Sequence, residues 1–152
     1  VWANMPLTLN KCYVDSTNIH AWYFHNDATI DSSTFKFTSD VQVTPGDSLT
    51  VTGNTKFYFA PKDTNDLLLD SLRVAFSVGG DLYIEGDKND KVLFTSYDSI
   101  EAGSWRGIQL YGDSATGKLK NCEISNAYYG IKSHRTIELD NVSVSNCCQE
   151  PV

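Results

Sequence analysis

Apolar and polar residues alternate along this chain in short runs. Ser48-Leu49-Thr50-Val51-Thr52, Asp81-Leu82-Tyr83-Ile84-Glu85, Lys91-Val92-Leu93-Phe94-Thr95 and Gly107-Ile108-Gln109-Leu110-Tyr111 place apolar side chains at every second position. A strand with one buried face needs this period of two, because successive side chains leave opposite faces. The runs are also rich in β-branched and aromatic residues, as strands are. Turn formers separate them: Pro45-Gly46-Asp47, Gly79-Gly80-Asp81, Gly86-Asp87 and Gly112-Asp113. No stretch sustains a helical period. The nearest is 65–74 (NDLLLDSLRV), after the cap-like Asp63-Thr64-Asn65. It predicts a turn or two of helix, or a loop followed by a strand.

Internal repetition organises the strands. Leu119-Lys120-Asn121-Cys122-Glu123-Ile124-Ser125-Asn126-Ala127 aligns with Leu139-Asp140-Asn141-Val142-Ser143-Val144-Ser145-Asn146-Cys147, about twenty residues on. The alignment predicts Leu119, Cys122, Ile124, Ala127, Ile137, Leu139, Val142, Val144 and Cys147 inward. Lys120, Glu123, Ser125, Glu138, Asp140, Ser143 and Ser145 are then outward. Asn121 with Asn141, and Asn126 with Asn146, fall at corners, where Asn tolerates left-handed backbone angles. Leu9 to Ser16 aligns with Leu119 to Asn126, and Thr29 to Phe37 with Thr136 to Val144. Neither Asn-Gly nor Asp-Gly, the favoured tight-hairpin dipeptides, occurs. The pattern therefore predicts an all-β solenoid of parallel strands, each turn burying its apolar side on the next. A sandwich or jelly roll is the competing expectation.

Composition narrows the class. The 152 residues, 41% hydrophobic and 20% charged, suit one ordered domain over residues 1–152. The net charge of −7 offers no basic stripe to a nucleic acid or an anionic membrane surface. No apolar run approaches the ~20 residues of a membrane span, so no membrane insertion is expected. The chain starts Val1-Trp2 and carries no signal peptide, which implies a removed leader or a piece of a longer solenoid. Four cysteines, Cys12, Cys122, Cys147 and Cys148, lack the paired spacing of a structural zinc site. They are read first as small buried hydrophobes. No metal and no cofactor is expected.

Several segments carry a family resemblance. Gly103-Ser104-Trp105-Arg106-Gly107-Ile108 is similar to the W-x-G-I pattern of bacterial surface and secreted right-handed parallel β-helix repeat proteins, of the pectin-lyase-like fold. Leu119 to Ala127, followed by Gly130-Ile131, resembles that family's L-x-N-C-x-I-x-N-A…G-I rung. Val43 to Val51 resembles its entry rung, and Lys91 to Ser96 the strand before the Trp. The resemblance covers roughly residues 41–147. It implies a right-handed β-helix of about six to seven coils at the cell surface or outside the cell. The chain departs from the pattern at 63–74, an apparent insertion, and at Trp22-Tyr23-Phe24-His25, which replaces a Gly-Ile corner.

The family includes adhesins, structural modules and polysaccharide-cleaving enzymes, so the site must choose among them. Its lyases imply an acidic calcium cluster beside a base. The outward carboxylates here are Glu123, Glu138 and Asp140, without a D-x-D pair; the bases are Arg106, Lys118, Lys120, Lys132 and Arg135. Asp81, Glu85, Asp87 and Asp90 cluster, but Asp87-Lys88-Asn89-Asp90 reads as a turn. His20, His25 and His134 have no nucleophile motif near them. No catalytic set emerges. Trp22, Tyr23, Tyr128 and Tyr129 occupy corresponding places in two repeat units and are the candidates for stacking on sugar rings, while Trp105 points inward. The expectation is a non-catalytic extracellular structural or adhesive module that contacts glycans or assembles end to end. Cys12, Cys147 and Cys148 are then candidate links, structural or between copies, in an oxidising compartment. The alternative is a lyase or hydrolase fragment acting on acidic polysaccharide.

Overall fold

The computed structural model describes residues 7–15, 21–61 and 73–148. These contain fifteen strands and no helix. In chain order they are β1 (Thr8–Asn10), β2 (Tyr13–Asp15), β3 (Trp22–Phe24), β4 (Ala28–Asp31), β5 (Thr34–Phe37), β6 (Val41–Val43), β7 (Ser48–Gly53) and β8 (Lys56–Phe59). Then follow β9 (Ala75–Val78), β10 (Asp81–Gly86), β11 (Val92–Ser96), β12 (Gly107–Leu110), β13 (Thr116–Ser125), β14 (Ile131–Ser133) and β15 (Ile137–Ser145). A ten-stranded sheet runs β1-β4-β7-β10-β13-β11-β8-β5-β2, with β15 also on β13. A second, five-stranded sheet runs β14-β12-β9-β6-β3. Every strand pairing is parallel.

This layout corrects the expectation of a right-handed parallel β-helix of six to seven coils, and with it the pectin-lyase-like repeat solenoid. The observed form is one parallel sheet curled back on itself, with a second parallel sheet beside it. The cause lies in β13. Its first half pairs with β10 and its second half with β11, so two rows of strands join into one sheet. Asn121 makes the bend with φ of 51°, and Asn141 on β15 repeats it with φ of 52°. Their side chains bond directly, Asn141 Nδ2 donating to Asn121 Oδ1 at 2.7 Å. Asn146 donates likewise to Asn126 at 2.8 Å. The short polar side chain tolerates the left-handed angle and ties the two bends together.

The parallel register matches the main alignment. Leu119 lies opposite Leu139, Cys122 opposite Val142 and Ile124 opposite Val144. Leu119, Cys122, Ile124 and Ala127 are buried, and Lys120 and Glu123 are exposed. Leu139 is 51% exposed because β15 is an edge with nothing beyond it among the described residues. The Thr29–Phe37 alignment needs correction by two residues: Phe35 shares a row with Val144, not Val142. A slip of two preserves which side chains face inward, so alternation alone could not detect it. The 63–74 segment lies mostly outside the described residues; of it, Val74 is fully buried and forms no helix.

The core is aromatic. Phe35, Phe57 and Phe94 occupy one inward row, with ring centroids 5.4 and 4.9 Å apart. Phe37 and Phe59 stack beside them at 5.8 Å, and Trp105 stacks on Phe59 at 4.1 Å, the two rings nearly parallel. The Trp105 indole N–H donates to the Ser125 carbonyl at 2.8 Å, so its one polar atom is satisfied. Two buried hydroxyls at the bend of the curled sheet are satisfied locally: Ser33 donates to the Asp31 carbonyl and Thr55 to the Thr52 carbonyl.

Candidate binding surfaces

The four aromatic candidates do not form one platform. Trp22 is 8% exposed and packs against Phe24, Phe35 and Phe37 with centroids 5.9–6.1 Å away. It shares its row with Val41, Phe76, Ile108 and Ile131, all buried. Trp22 is therefore a core residue with no ring face left for a sugar, which corrects its candidacy. Tyr23 points outward and stacks on the His25 ring at 6.1 Å. The expected correspondence with Tyr128 and Tyr129 is also corrected, since Trp22 aligns with Ile131 and Tyr23 with Lys132.

Tyr128 and Tyr129 stand perpendicular, 4.8 Å apart, at the opposite edge of the second sheet from Tyr23. Four strand spacings separate the two edges, about 19 Å. Cations already lie over their rings. The Arg73 guanidinium sits 4.7 Å from Tyr128, and Arg106 and Lys132 sit 5.1 and 4.5 Å from Tyr129. A sugar stacking there would have to displace a cation–π contact.

The outer row between these edges is Tyr23, Gln42, Ser77, Gln109 and Lys132. Gln42 donates to the Tyr111 hydroxyl, two strands away. Ser77 and Gln109, paired in register, are 1% and 7% exposed. The Ser77 Oγ and Gln109 Nε2 atoms have no hydrogen-bond partner among the described residues. Outward-facing polar residues of a strand are ordinarily solvated, so the sequence carried no sign of this burial.

The candidate carboxylates and bases pair with one another, and four of them, Lys118, Lys120, Glu138 and Asp140, line a cleft of about 360 Å³ with Glu85. Lys118 pairs with Glu138 at 3.1 Å and Lys120 with Asp140 at 3.6 Å, each across the β13–β15 ladder. Lys91 pairs with Glu123 at 3.4 Å, and Arg135 with Asp113 at 3.5 Å. Asp81 accepts from the Thr116 amide and hydroxyl, and Asp87 from the Asn89 amide, as a turn does. His25 contacts Thr44 at 3.0 Å and Asp47 at 3.6 Å, and Thr44 donates to Asp47. His134 is exposed; His20 lies outside the described residues. Among the described residues no group of three His, Cys, Asp or Glu side chains could hold a metal ion.

All four cysteines are free thiols. Cys122 is buried, and that burial pushes its thiol up to about 12, opposed by Lys91 and aided by Glu123. It is an inert core residue. Cys147 is half-buried, its thiol also raised chiefly by desolvation, and donates to the Ser145 carbonyl. Cys148 is exposed, and Cys12 is half-buried with its thiol on the Asn10 carbonyl.

One surface escaped the sequence reading. A cleft of about 270 Å³ lies beside the 87–91 turn, lined by Lys56, Lys88, Lys91, Leu93, Asp90 and Glu123 among others. Lys91 is paired with Glu123; Lys56 and Lys88 have no ion pair among the described residues. The three lysines are separated by up to 35 positions, so only the fold gathers them.

Secretion and adhesion, expected from the resemblance, find no support in these features. No family model matches the chain, and neither a curated protein nor a solved structure matches it.

Proposed function

We propose that the chain is a non-catalytic structural module, a parallel-strand scaffold that makes contacts without transforming a substrate. One observation carries this reading: the candidate carboxylates Glu123, Glu138 and Asp140 each pair with a lysine of the adjacent chain segment, at 3.1–3.6 Å. A glycosidase holds two carboxyl groups across a substrate-sized gap, and a general base must be poised toward the proton it takes. A lysine bonded to a glutamate on the next strand is arranged for neither task.

A second reading is favoured by the lysine cleft. Lys56 and Lys88, in no ion pair among the described residues, outnumber the unpaired carboxylate of Asp90 in this cleft and suit the anionic groups of an acidic glycan. One experiment addresses both. Titrating an oligogalacturonate at low salt should give weak binding that fades as salt screens it, with Lys56→Gln/Lys88→Gln weakening it about tenfold. The same mixture should yield no unsaturated product and no new reducing ends. Steady product release, abolished by Glu123→Gln or Lys120→Gln, would contradict the structural reading; absence of any binding heat would remove the glycan reading alone.

A further inference from the structure

We propose that the β15 edge is a docking surface for a second copy of this chain, which adds its own β1–β2 edge in parallel register. The inference deepens the structural reading above and rests on it. Its first support is that both edges are open among the described residues. Among the described residues β15 pairs with β13 alone, while β1 and β2 pair only with β4 and β5. Open strand edges carry unpaired backbone donors and acceptors that template further pairing.

The second support is that the edges match in sequence rows. Following the register across the curled sheet, Leu7 falls on the row of Ile137, and Leu9 on that of Leu139. Cys12 falls on the row of Val142, and Val14 on that of Val144. Seven of these eight side chains are half-buried, and Leu139 is exposed. Docking would cover four apolar positions on each edge with four on the other. The bend also matches: Lys11 has φ of 51°, as Asn141 has 52°. An incoming strand would turn where the existing one turns.

Charge permits the contact. Thr8 would lie on Glu138, Asn10 on Asp140, Tyr13 on Ser143 and Asp15 on Ser145, so no like charges are opposed. The two edges are different surfaces, so the contact is heterologous and propagates into an open filament unless it closes on itself. Disulfides have no part in it. Cys12 would sit over Val142, five positions from Cys147, about 16 Å along an extended strand. This replaces the expected cysteine link between copies.

Light scattering on the whole chain, from low to high concentration, tests the idea. Wild type should grow beyond dimer, equally with and without reductant. Leu9→Lys and Leu139→Lys should each stay monomeric at every concentration, since each blocks one edge. Mixed one to one, they should form a dimer and stop there, because one good edge of each remains. A self-complementary β15–β15 dimer would instead leave Leu9→Lys dimeric and give no rescue on mixing, and that result overturns the proposal. A wild-type monomer throughout overturns it too, even should a variant fail to fold, and leaves the structural reading standing. Product formation in the polysaccharide assay would do the reverse.

Discussion

Replacing Phe57 with alanine is expected to destabilise the chain by about 3–5 kcal/mol, the usual cost of deleting a large buried aromatic. Phe57 is fully buried and sits at the centre of the aromatic core. Its ring stacks on Phe35, Phe37 and Phe94 and meets Phe76 edge-on, all within 6.1 Å. It also joins the two sheets, because Phe76 belongs to the five-stranded one. The void left by alanine would be bordered by rings fixed in paired strands, which cannot collapse into it. Thermal or chemical denaturation should show the loss, with the midpoint lowered by roughly 10 °C or more. Phe57→Leu should restore much of it. A change below about 1 kcal/mol in Phe57→Ala would mean that the stack is not the core.

The second large effect concerns backbone approach. Gly112 ends the segment after β12, and a Cβ built there would lie 2.0 Å from the Gly79 carbonyl oxygen. The obstacle is backbone of the neighbouring turn, so no side-chain rotation relieves it. Gly112→Ala should force the two turns apart and cost about 3 kcal/mol, the upper part of the range for overpacking. Gly46→Ala provides the contrast. Nothing lies within 4 Å of its Cβ position, and its penalty comes only from its φ of 86°. Denaturation midpoints of the two variants should rank Gly112→Ala well below Gly46→Ala; the opposite ranking would mean the turns are not packed as described.

How much was legible follows from what periodicity can carry. Strand alternation identified Leu82, Ile84, Val92, Phe94, Ile108 and Leu110 as core, because inward and outward differ by one position and one solvation state. The repeat at 119–147 identified its pairing partner residue by residue, since matching rows and matching Asn bends must coincide. The architecture was not legible. A pattern that shows strands pairing about twenty residues on does not show that β13 passes unbroken through Asn121 and merges two rows into one curled sheet. Nor did alternation fix the Thr29–Phe37 register, where a two-residue slip costs no change of face.

The surface was less legible still. Trp22 and Tyr23 are adjacent and both aromatic, and composition cannot say which enters the core. The pairing of Lys118 with Glu138 and Lys120 with Asp140 follows directly from the repeat register, which sets each pair side by side on adjacent strands. The Lys56–Lys88–Lys91 cleft and the buried Ser77–Gln109 pair have no such signal. Both depend on which strand lies beside which.

The parallel, in-register ladder underlies the fold, the paired surface charges and the proposed edge contact alike. Nuclear Overhauser spectroscopy of isotope-labelled protein tests it most directly, across β13 and β15. Parallel in-register pairing predicts amide-to-Hα contacts linking 117–125 with 137–145 at a constant offset of twenty residues, with Leu119 beside Leu139 and Ile124 beside Val144. Hα–Hα contacts whose residue numbers rise in one strand as they fall in the other would mean antiparallel pairing, and would contradict it.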